Sequence, residues 1–476
     1  MTPMPDEHVA AAPGSARCPG PSTRDVILGD STPTPRQLLV ESPVYLGSTE
    51  VPFEDYTSAA IADDEHQHLW SRVWQWACRE EQIPEPGDYS VYDIGERSAL
   101  VVRGDDGRIR AFPNSCLHRG TMLKPSGSCG MSRQLRCPFH GWTWSTEGEL
   151  VDIPCAWDFP LADANTHRLP QLQVGLWGGF VFVNWDPDPA PLAEYMGVIP
   201  DHFADWDLAD KYIEVHARKR LPANWKASAS AFLEAYHVLE THPQGLLTTG
   251  DANAQYDIFG DHVSRFVHTT MTTSPHVGEE QQPTEEELLA MVTARRDADD
   301  PAPGIPEGER ARDVYARLVQ QTLGERYDRD FSDLSVCETI DSIEYFLFLN
   351  AFFFPGLQFP MVYRFRPDGN DPDRSIFDLL VLRPKPDHGA VPLPAEPFDL
   401  DVDDSYTLTP GIAKSLGMIY DQDTANLAAM TKGFKASTKG TQTLGDYQEV
   451  RIRHLHDGVA RYLAEGRARA DVAGPS

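Results

Sequence analysis

Four residues in the first third of the chain combine thiol and imidazole side chains at short spacing. One residue separates Cys116 from His118, and two residues separate Cys137 from His140. Each pair is followed within two residues by a glycine. Two thiolates and two neutral imidazoles on paired loops are the donor set of a 2Fe–2S cluster in which one iron takes both sulfurs and the other iron takes both nitrogens. The quartet therefore predicts a redox cofactor.

Zinc is the alternative for the same quartet, because Cys₂His₂ is also a tetrahedral structural site. Zinc fingers usually pair cysteine with cysteine and histidine with histidine, whereas each pair here is mixed. The glycines after the pairs allow tight turns that aim backbone N–H groups at cluster sulfurs. We therefore favour a 2Fe–2S cluster of the Rieske type, held by Cys116, His118, Cys137 and His140.

The bulk composition argues against several classes of partner. The chain has 476 residues, and its 72 acidic against 41 basic residues give a formal charge of −31. Nucleic acid and anionic membrane surfaces would be repelled by this charge. The five cysteines outside the quartet show no paired spacing, so we expect a reduced, cytoplasmic protein. No stretch reaches the roughly 18 apolar residues of a membrane span, and the N-terminus shows no basic segment followed by an apolar run.

The sequence predicts an α+β fold with two domains and two tails. Residues 1–45 are rich in Pro, Ala, Ser and Thr, and we expect a flexible arm there. Residues 46–190 predict an N-terminal helix, from apolar spacing over 56–78, followed by a small all-β domain that holds the quartet. Residues 191–465 mix strands and helices, which predicts a larger catalytic domain with an antiparallel sheet flanked by helices. Residues 466–476 are assigned to a C-terminal tail.

A second group of possible metal ligands lies in a predicted helix at about 224–241. His237 and His242 can supply two corners of the facial triad of two histidines and one carboxylate that holds non-haem Fe(II). On an undistorted helix these histidines would lie about 140° apart, but Pro243 disfavours helical geometry at His242. We therefore expect the helix to end there, so that both rings converge. The alternative is a surface histidine and a helix cap. Glu234, one turn before His237, can accept a hydrogen bond from its outer N–H.

In combination these motifs resemble the catalytic α subunit of a Rieske-type non-haem iron oxygenase, in the ring-hydroxylating dioxygenase superfamily. The resemblance covers about residues 50 to 465. Its matching segments are C116-L-H-R-G, C137-P-F-H-G-W, N224-W-K and E234-A-Y-H-V-L-E-T-H, followed by a C-terminal helix that carries carboxylates.

The resemblance implies the roles of several residues. His237, His242 and Asp423 would bind one Fe(II) per chain, with Asp421 as the competing carboxylate. Either aspartate has an alternative interpretation as an acid that the helix dipole favours near a helix N-terminus. Glu234 occupies the position where most of the superfamily has an aspartate that relays electrons between the two metal sites, across a subunit boundary inside a ring trimer.

The resemblance also implies a function. We expect a terminal oxygenase component that takes electrons from NAD(P)H through a separate reductase, with or without a ferredoxin, and uses O₂ to hydroxylate an aromatic or hydrophobic small molecule by mono- or dioxygenation. We expect a homotrimer, with or without a β subunit. The apolar run 346–361 predicts sheet core and part of a pocket, and the acidic segment 275–333 is a candidate lid.

Two alternative functions stay open. A glutamate at position 234 is associated with the amine and carnitine oxygenase branches, so a quaternary-amine or carnitine-type Rieske monooxygenase is one alternative. A Rieske electron-transfer protein without oxygenase activity is the other. High-potential respiratory Rieske proteins carry an extra cysteine in each loop, joined as a disulfide, and the matching positions here hold Thr121 and Phe139.

Overall fold

The computed structural model of the chain describes residues 12–293 and 303–473. It confirms the predicted α+β class, with small antiparallel sheets in the N-terminal half and one large, mainly antiparallel sheet in the C-terminal half. None of the helices in the described ranges combines the length and the apolar character needed to cross a membrane.

The N-terminal half begins with short helices and continues as a set of small sheets. Its helices are α1 (Thr23–Leu28), α2 (Arg36–Leu39), α3 (Glu54–Thr57) and α4 (Ala59–His68). Its strands are β1 (Val51–Pro52), β2 (Gln75–Arg79), β3 (Asp88–Ile94), β4 (Arg97–Arg103), β5 (Ile109–Pro113), β6 (Cys129–Met131), β7 (Leu135–Arg136), β8 (Thr143–Trp144), β9 (Leu150–Asp152), β10 (Gln173–Trp177) and β11 (Phe180–Asn184). They form sheets of order β5-β4-β3-β6, β7-β8-β9 and β10-β11-β2. The two ligand loops follow β5 and β7.

The C-terminal half is built around an eight-stranded sheet of order β13-β14-β15-β16-β17-β18-β12-β19. Its strands are β12 (Lys211–Leu221), β13 (Gln255–Phe259), β14 (Val263–His268), β15 (Ser342–Leu347), β16 (Ala351–Phe353), β17 (Met361–Pro367), β18 (Ser375–Pro384) and β19 (Phe398–Leu400), and β20 (Thr441–Gln442) pairs with β1. Its helices are α5 (Leu192–Tyr195), α6 (Ile199–His202), α7 (Trp225–Ser230), α8 (Val238–Thr241), α9 (Glu285–Thr293), α10 (Ala311–Tyr327), α11 (Val336–Ile340), α12 (Lys414–Ala425), α13 (Leu427–Ala436) and α14 (Val450–Ala473).

Buried polar contacts tie the two halves together. Asp378 on β18 is fully buried, and it accepts a hydrogen bond at 2.9 Å from the guanidinium of Arg364 on β17. The same guanidinium donates to the backbone oxygen of Trp76 on β2, at 2.6 Å. The buried carboxylate of Asp378 and the buried guanidinium of Arg364 pair with each other, so neither charge is left uncompensated where the two halves meet. The main hydrophobic core accordingly includes residues of both halves.

The predicted helix over 56–78 differs from the structure. Helix α4 ends at His68, and residues 75–79 form strand β2, which pairs with β11. Every residue of β2 is buried. A strand buried on both faces loses the alternation of polar and apolar residues, so periodicity alone did not separate it from the helix that precedes it.

The described part of the predicted flexible arm is also folded. Residues 12–45 run along the catalytic domain, where Thr23 is buried and donates to the backbone oxygen of Asn253 at 2.9 Å. The guanidinium of the buried Arg265 donates to the backbone oxygen of Val40 at 2.6 Å. Residues 1–11 lie outside the described residues. At the other end, α14 continues to Ala473, through most of the segment predicted as a tail.

Candidate metal centres

The two loops that carry the cysteine–histidine pairs have the same backbone design. In the first loop, the amide of Cys116 donates to the backbone oxygen of Thr121 at 2.8 Å, and the amide of Gly120 donates to that of Cys116 at 2.9 Å. The second loop repeats both bonds, at 2.8 and 3.1 Å, among Cys137, Trp142 and Gly141. The glycines have φ of +77° and +79°, a region that other residues rarely adopt. The predicted tight turns therefore exist in both loops.

The cysteines of this site face inward and the histidines face outward. Cys116 and Cys137 are each 3% exposed and lie in a small hydrophobic core with Trp142 and Trp144. The ring of His118 stacks on Trp142 at 5.0 Å between centroids and meets the ring of His140 edge-on at 4.8 Å. Burial raises the pKa of Cys116, and the neighbouring thiol of Cys137 adds to this rise. The thiols thus form one pair and the imidazoles another.

This arrangement fits a two-iron cluster better than a single zinc ion. A tetrahedral zinc with bonds of about 2.0–2.3 Å would draw all its ligand atoms to within about 4 Å of one another. Among the described residues, the quartet does not form a cluster in which three or more ligand atoms lie within 4.8 Å of one another. A pair of thiols and a pair of imidazoles suit two metal atoms, with sulfur on one and nitrogen on the other.

The second site brings together three side chains predicted from the sequence. His237 stands at the N-terminal end of α8 and His242 at its C-terminal end, where φ of −126° and ψ of 53° leave the helical region before Pro243. Asp423 comes from the distant helix α12. Its Oδ1 lies 2.6 Å from Nε2 of His242 and 3.5 Å from Nε2 of His237. The three ligand atoms lie within 4.8 Å of one another, a spacing that a single ion can bridge.

The helix predicted over 224–241 is therefore interrupted. Helix α7 ends at Ser230, and the separate α8 covers only Val238–Thr241. This break allows the histidines at both ends of α8 to face one side, with their ring centroids 5.4 Å apart.

The outer nitrogens of both histidines are held by acceptors. Nδ1 of His237 lies 2.8 Å from Oε1 of Glu234, and the His237 amide donates to the other oxygen of the same carboxylate at 2.9 Å. Nδ1 of His242 lies 3.0 Å from Oε1 of Gln422. Acceptors at Nδ1 favour the tautomer in which Nε2 is free to bind a metal. Gln422 was missed by the sequence reasoning, although its position beside Asp423 was an available signal.

The charges of this site favour a cation between the carboxylates. Burial alone would lower the pKa of His237, but the side chains of Asp423 and Glu234 outweigh it and raise that pKa to about 10. Burial would raise the pKa of Asp423, but hydrogen bonds to His237 and His242 keep it below its ordinary value. Buried carboxylates that stay ionised need positive charge close by, which a divalent metal ion also supplies.

The competing carboxylate, Asp421, points elsewhere. Its Oδ2 accepts a hydrogen bond from the hydroxyl of Ser405 at 2.5 Å, and its Oδ1 accepts one from the amide of Tyr406 at 2.9 Å. Asp421 therefore fastens helix α12 to the preceding loop, and Asp423 is the aspartate that lies beside the histidines.

A cavity of about 350 Å³ opens beside the three ligand-type residues. Its wall is mainly apolar; its large apolar and aromatic side chains are Phe232, Phe266, Phe354, Phe359, Met361, Tyr363, Leu416, Ile419 and Tyr420. Three of these residues belong to the apolar run 346–361, whose other phenylalanines are buried in the sheet core. The run thus divides between core and cavity, as predicted.

The acidic segment 275–333, a candidate lid, packs away from this cavity. Its helices α9 and α10 form a separate apolar cluster with Met271 and Val336. The cavity wall includes no residue from the described part of this segment, so this part does not cover the site. Residues 294–302 lie outside the described residues.

Family comparisons match both halves of the chain. The sequence model of the Rieske [2Fe-2S] domain matches residues 73–164. The model of the ring hydroxylating alpha subunit (catalytic domain) matches residues 203–465, more than half of the chain.

Individual relatives match over a shorter part. The chain is 35% identical to chlorobenzene dioxygenase subunit alpha of Cupriavidus sp. (strain PS12) over 199 residues, which are 40% of this chain and 44% of the relative. It is 29% identical to the glycine betaine monooxygenase oxygenase subunit of Pseudomonas aeruginosa (strain UCBPP-PA14) over 203 residues, 42% of this chain and 46% of the relative. The chain thus spans less than half the length of these curated relatives.

Solved structures share the fold at low identity. The quaternary ammonium Rieske monooxygenase CntA in complex with L-carnitine superposes with a TM-score of 0.60 at 16% identity, covering 87% of this chain and 96% of CntA. Naphthalene 1,2-dioxygenase from Rhodococcus sp. bound to indole gives 0.57 at 20% identity, covering 87% and 94%. These likenesses establish the fold alone.

Proposed function

The chain belongs to the family of ring-hydroxylating α subunits that carry a Rieske [2Fe–2S] domain, and from this premise we propose that it is the terminal component of an oxygenase. In this proposal, electrons from NAD(P)H reach the chain through a separate reductase, with or without a ferredoxin. O₂ is then used to hydroxylate an aromatic or hydrophobic small molecule by mono- or dioxygenation.

One observation carries the proposal. His237, His242 and Asp423 converge within 4.8 Å beside a mainly apolar cavity, in a chain that also presents a two-cysteine, two-histidine loop pair. A metal triad next to an apolar cavity is suited to chemistry on a bound hydrophobic molecule. A protein that only carried electrons would need neither the triad nor the cavity.

The ligand assignments belong to the proposal. Cys116 and Cys137 would hold one iron of the cluster, and His118 and His140 the other. Nε2 of His237, Nε2 of His242 and the carboxylate of Asp423 would hold one Fe(II). When bound, the cluster supplies electrons one at a time, and the lone iron supplies the site at which O₂ is activated.

The remaining residues of the site orient the two histidine rings and shield the site from water. Glu234 accepts the outer N–H of His237, and Gln422 accepts that of His242, so both rings are fixed with Nε2 turned to Asp423. The apolar wall, including Phe232 and Phe354, keeps water from the site and binds a hydrophobic molecule by burial.

We propose that the chain works as a homotrimer, with or without a β subunit, in which Glu234 relays electrons across a subunit boundary. Apolar side chains around the ligand loops are unusually exposed, at 58% for Phe139, 83% for Trp157 and 86% for Leu161. Exposed apolar groups of this kind mark interaction surfaces. The cytoplasmic location and the lack of nucleic-acid and membrane partners stay predictions from composition and charge.

A quaternary-ammonium substrate is the second candidate, since aromatic side chains line the cavity and can face a cation. It is less favoured because Glu344, a carboxylate of the cavity wall, is already paired at 2.6 Å with the buried guanidinium of Arg451. The remaining carboxylates, Glu234 and Asp423, are engaged by histidines.

Metal analysis combined with electron paramagnetic resonance of the reduced protein tests the proposal. An oxygenase should contain about three irons per chain and give the rhombic signal of a Rieske cluster. Two irons per chain without product formation would instead identify an electron carrier, and zinc alone would exclude both. Supplying the loaded protein with a reductase, NADH and an aromatic probe such as naphthalene should give hydroxylated product.

A further inference from the structure

The cavity has a polar patch on one wall, formed by neighbouring strands of the large sheet. His268 and Phe266 on β14 pair directly with Ser342 and Glu344 on β15, and all four line the cavity. Because directly paired residues of antiparallel strands face the same side of a sheet, these four side chains form one continuous surface. The patch was missed by the sequence reasoning, since a lone histidine in a strand carries no signal.

His268 is unsatisfied within this patch. Its Nε2 is buried and has no hydrogen-bond partner among the described residues. Two other polar groups of the wall are already engaged: Thr270 donates to the backbone oxygen of Ile340 at 2.8 Å, and Glu344 accepts from Arg451 at 2.6 Å. Of the buried polar atoms without a partner among the described residues, Nε2 of His268 is the one that belongs to the cavity wall, so a ligand in the cavity is the group placed to supply its partner.

The charges around the patch favour an uncharged partner. Burial lowers the pKa of His268 to about 4, so its ring is neutral near pH 7. The wall includes no lysine or arginine among its described residues. Each of its carboxylates has a partner: Glu344 has Arg451, Glu234 has His237 and Asp423 has His242. A divalent ion bound there would add two positive charges beside Glu234 and Asp423. A carboxylate on the substrate would add an uncompensated buried charge.

From this juxtaposition we propose that His268 is a specificity-determining residue, and that the substrate is a hydrophobic ring carrying one neutral hydroxyl or N–H group that hydrogen-bonds to it. This inference rests on the proposed function, because it concerns the same cavity. An O–H group satisfies either tautomer of the imidazole, since it both donates and accepts. A bare hydrocarbon would leave the ring nitrogen unpaired, and a site built for a hydrogen bond discriminates against such an analogue.

Matched ligand pairs test this proposal by calorimetric binding to the iron-loaded enzyme without oxygen. Indole and indene have nearly the same shape but differ in an N–H, and 1-naphthol and naphthalene differ in an O–H. We expect wild-type enzyme to bind the polar member of each pair about tenfold more tightly, the effect of one buried hydrogen bond. His268→Phe should bring this ratio to about one, and His268→Asn should restore part of it.

Two controls separate a specific contact from general damage. Phe359→Leu changes the apolar wall and should weaken both members of a pair equally. The anion 1-naphthoate should bind wild type more weakly than 1-naphthol. Equal binding of both members by wild type, an unchanged ratio in His268→Phe, tighter binding of naphthoate, or no binding of any probe would each overturn the proposal.

Iron content and product formation in the same preparations distinguish the two proposals. Oxygenation without a polar preference would count against the role of His268 alone. A polar preference that depends on His268, in a protein that makes no product, would count against the oxygenase function alone.

Discussion

Replacement of Glu234 by glutamine tests how the site holds its histidine. Both oxygens of Glu234 accept hydrogen bonds from one residue: Oε1 from the ring of His237 at 2.8 Å and Oε2 from its amide at 2.9 Å. Glutamine has nearly the same shape but offers one acceptor and one NH₂ group. It can satisfy one of the two donors, while its NH₂ group faces the other donor.

The expected magnitude follows from this count. The variant loses one charge-assisted hydrogen bond, worth about 1.5–3 kcal/mol, and this corresponds to a loss of about 10- to 150-fold in affinity. Loss of an outer acceptor of a metal-bound histidine typically costs about 10- to 100-fold in metal affinity or activity. We therefore expect Glu234→Gln to weaken Fe(II) binding by about one to two orders of magnitude, with the cluster unaffected.

Competitive titration with a ferrous chelator measures the affinity of the protein for Fe(II). Stopped-flow absorbance then follows reoxidation of the reduced cluster by O₂ in the iron-saturated protein. If Glu234 relays electrons, reoxidation should slow sharply even at full iron occupancy. Gln422→Ala is the matched control, because it removes a neutral acceptor from His242 and should cost about two- to tenfold in affinity only. Unchanged iron affinity together with unchanged reoxidation in Glu234→Gln would refute this reasoning.

Three further predictions follow from other contacts. Asp423→Ala should lose the mononuclear iron and keep the visible spectrum of the cluster. Asp421→Ala should keep the iron but lose about 1–2 kcal/mol of stability, because its hydrogen bonds to the preceding loop are removed. Metal analysis and urea unfolding measure these effects, and equal iron loss in both variants would contradict the assignment of Asp423. His140→Cys should shift the cluster spectrum and lower its potential, because thiolate replaces imidazole; an unaltered spectrum would exclude His140 as a ligand. Burial lowers the pKa of His456 to about 3, below the value near 6.5 of the unfolded chain. Between these values the unfolded chain binds a proton that the folded protein excludes. The free energy of unfolding should therefore be highest above pH 6.5 and should fall as pH falls from there, by up to about 1.4 kcal/mol per pH unit. Urea unfolding at a series of pH values should show a shallower slope for His456→Asn, and equal slopes would contradict this prediction.

The fold class and the ligand-type residues were accessible from sequence because their signals are local. The positive-φ glycines and the cysteine–histidine spacings lie within each loop, so the loops could be recognised without knowledge of the rest of the chain. Pro243 likewise revealed the end of helix α8 at His242 from its neighbour alone. The family prediction is confirmed by the matches to both halves of the chain.

The features that the sequence mispredicted or left open depend on distant contacts. Strand β2 is buried on both faces by elements far along the chain, so its local pattern resembled a helix. The arm of residues 12–45 has a composition that cannot form a core by itself, but it folds against an existing surface, where its backbone oxygens accept bonds from the buried Arg265. Asp421 and Asp423 are two residues apart and similar in local sequence, and only contacts with Ser405 and His242 distinguish them.

The two candidate metal centres therefore differ in how they are assembled. All four proposed cluster ligands lie between residues 116 and 140, on loops closed by their own backbone hydrogen bonds. The second centre joins His242 to a carboxylate 181 residues away on α12, so it forms only when this helix is docked on the sheet. A local opening of α12 would separate Asp423 from both histidines while leaving the cluster loops closed. The mononuclear iron should accordingly be lost before the cluster under mild denaturation, because its carboxylate ligand is joined to the two histidines by tertiary structure alone.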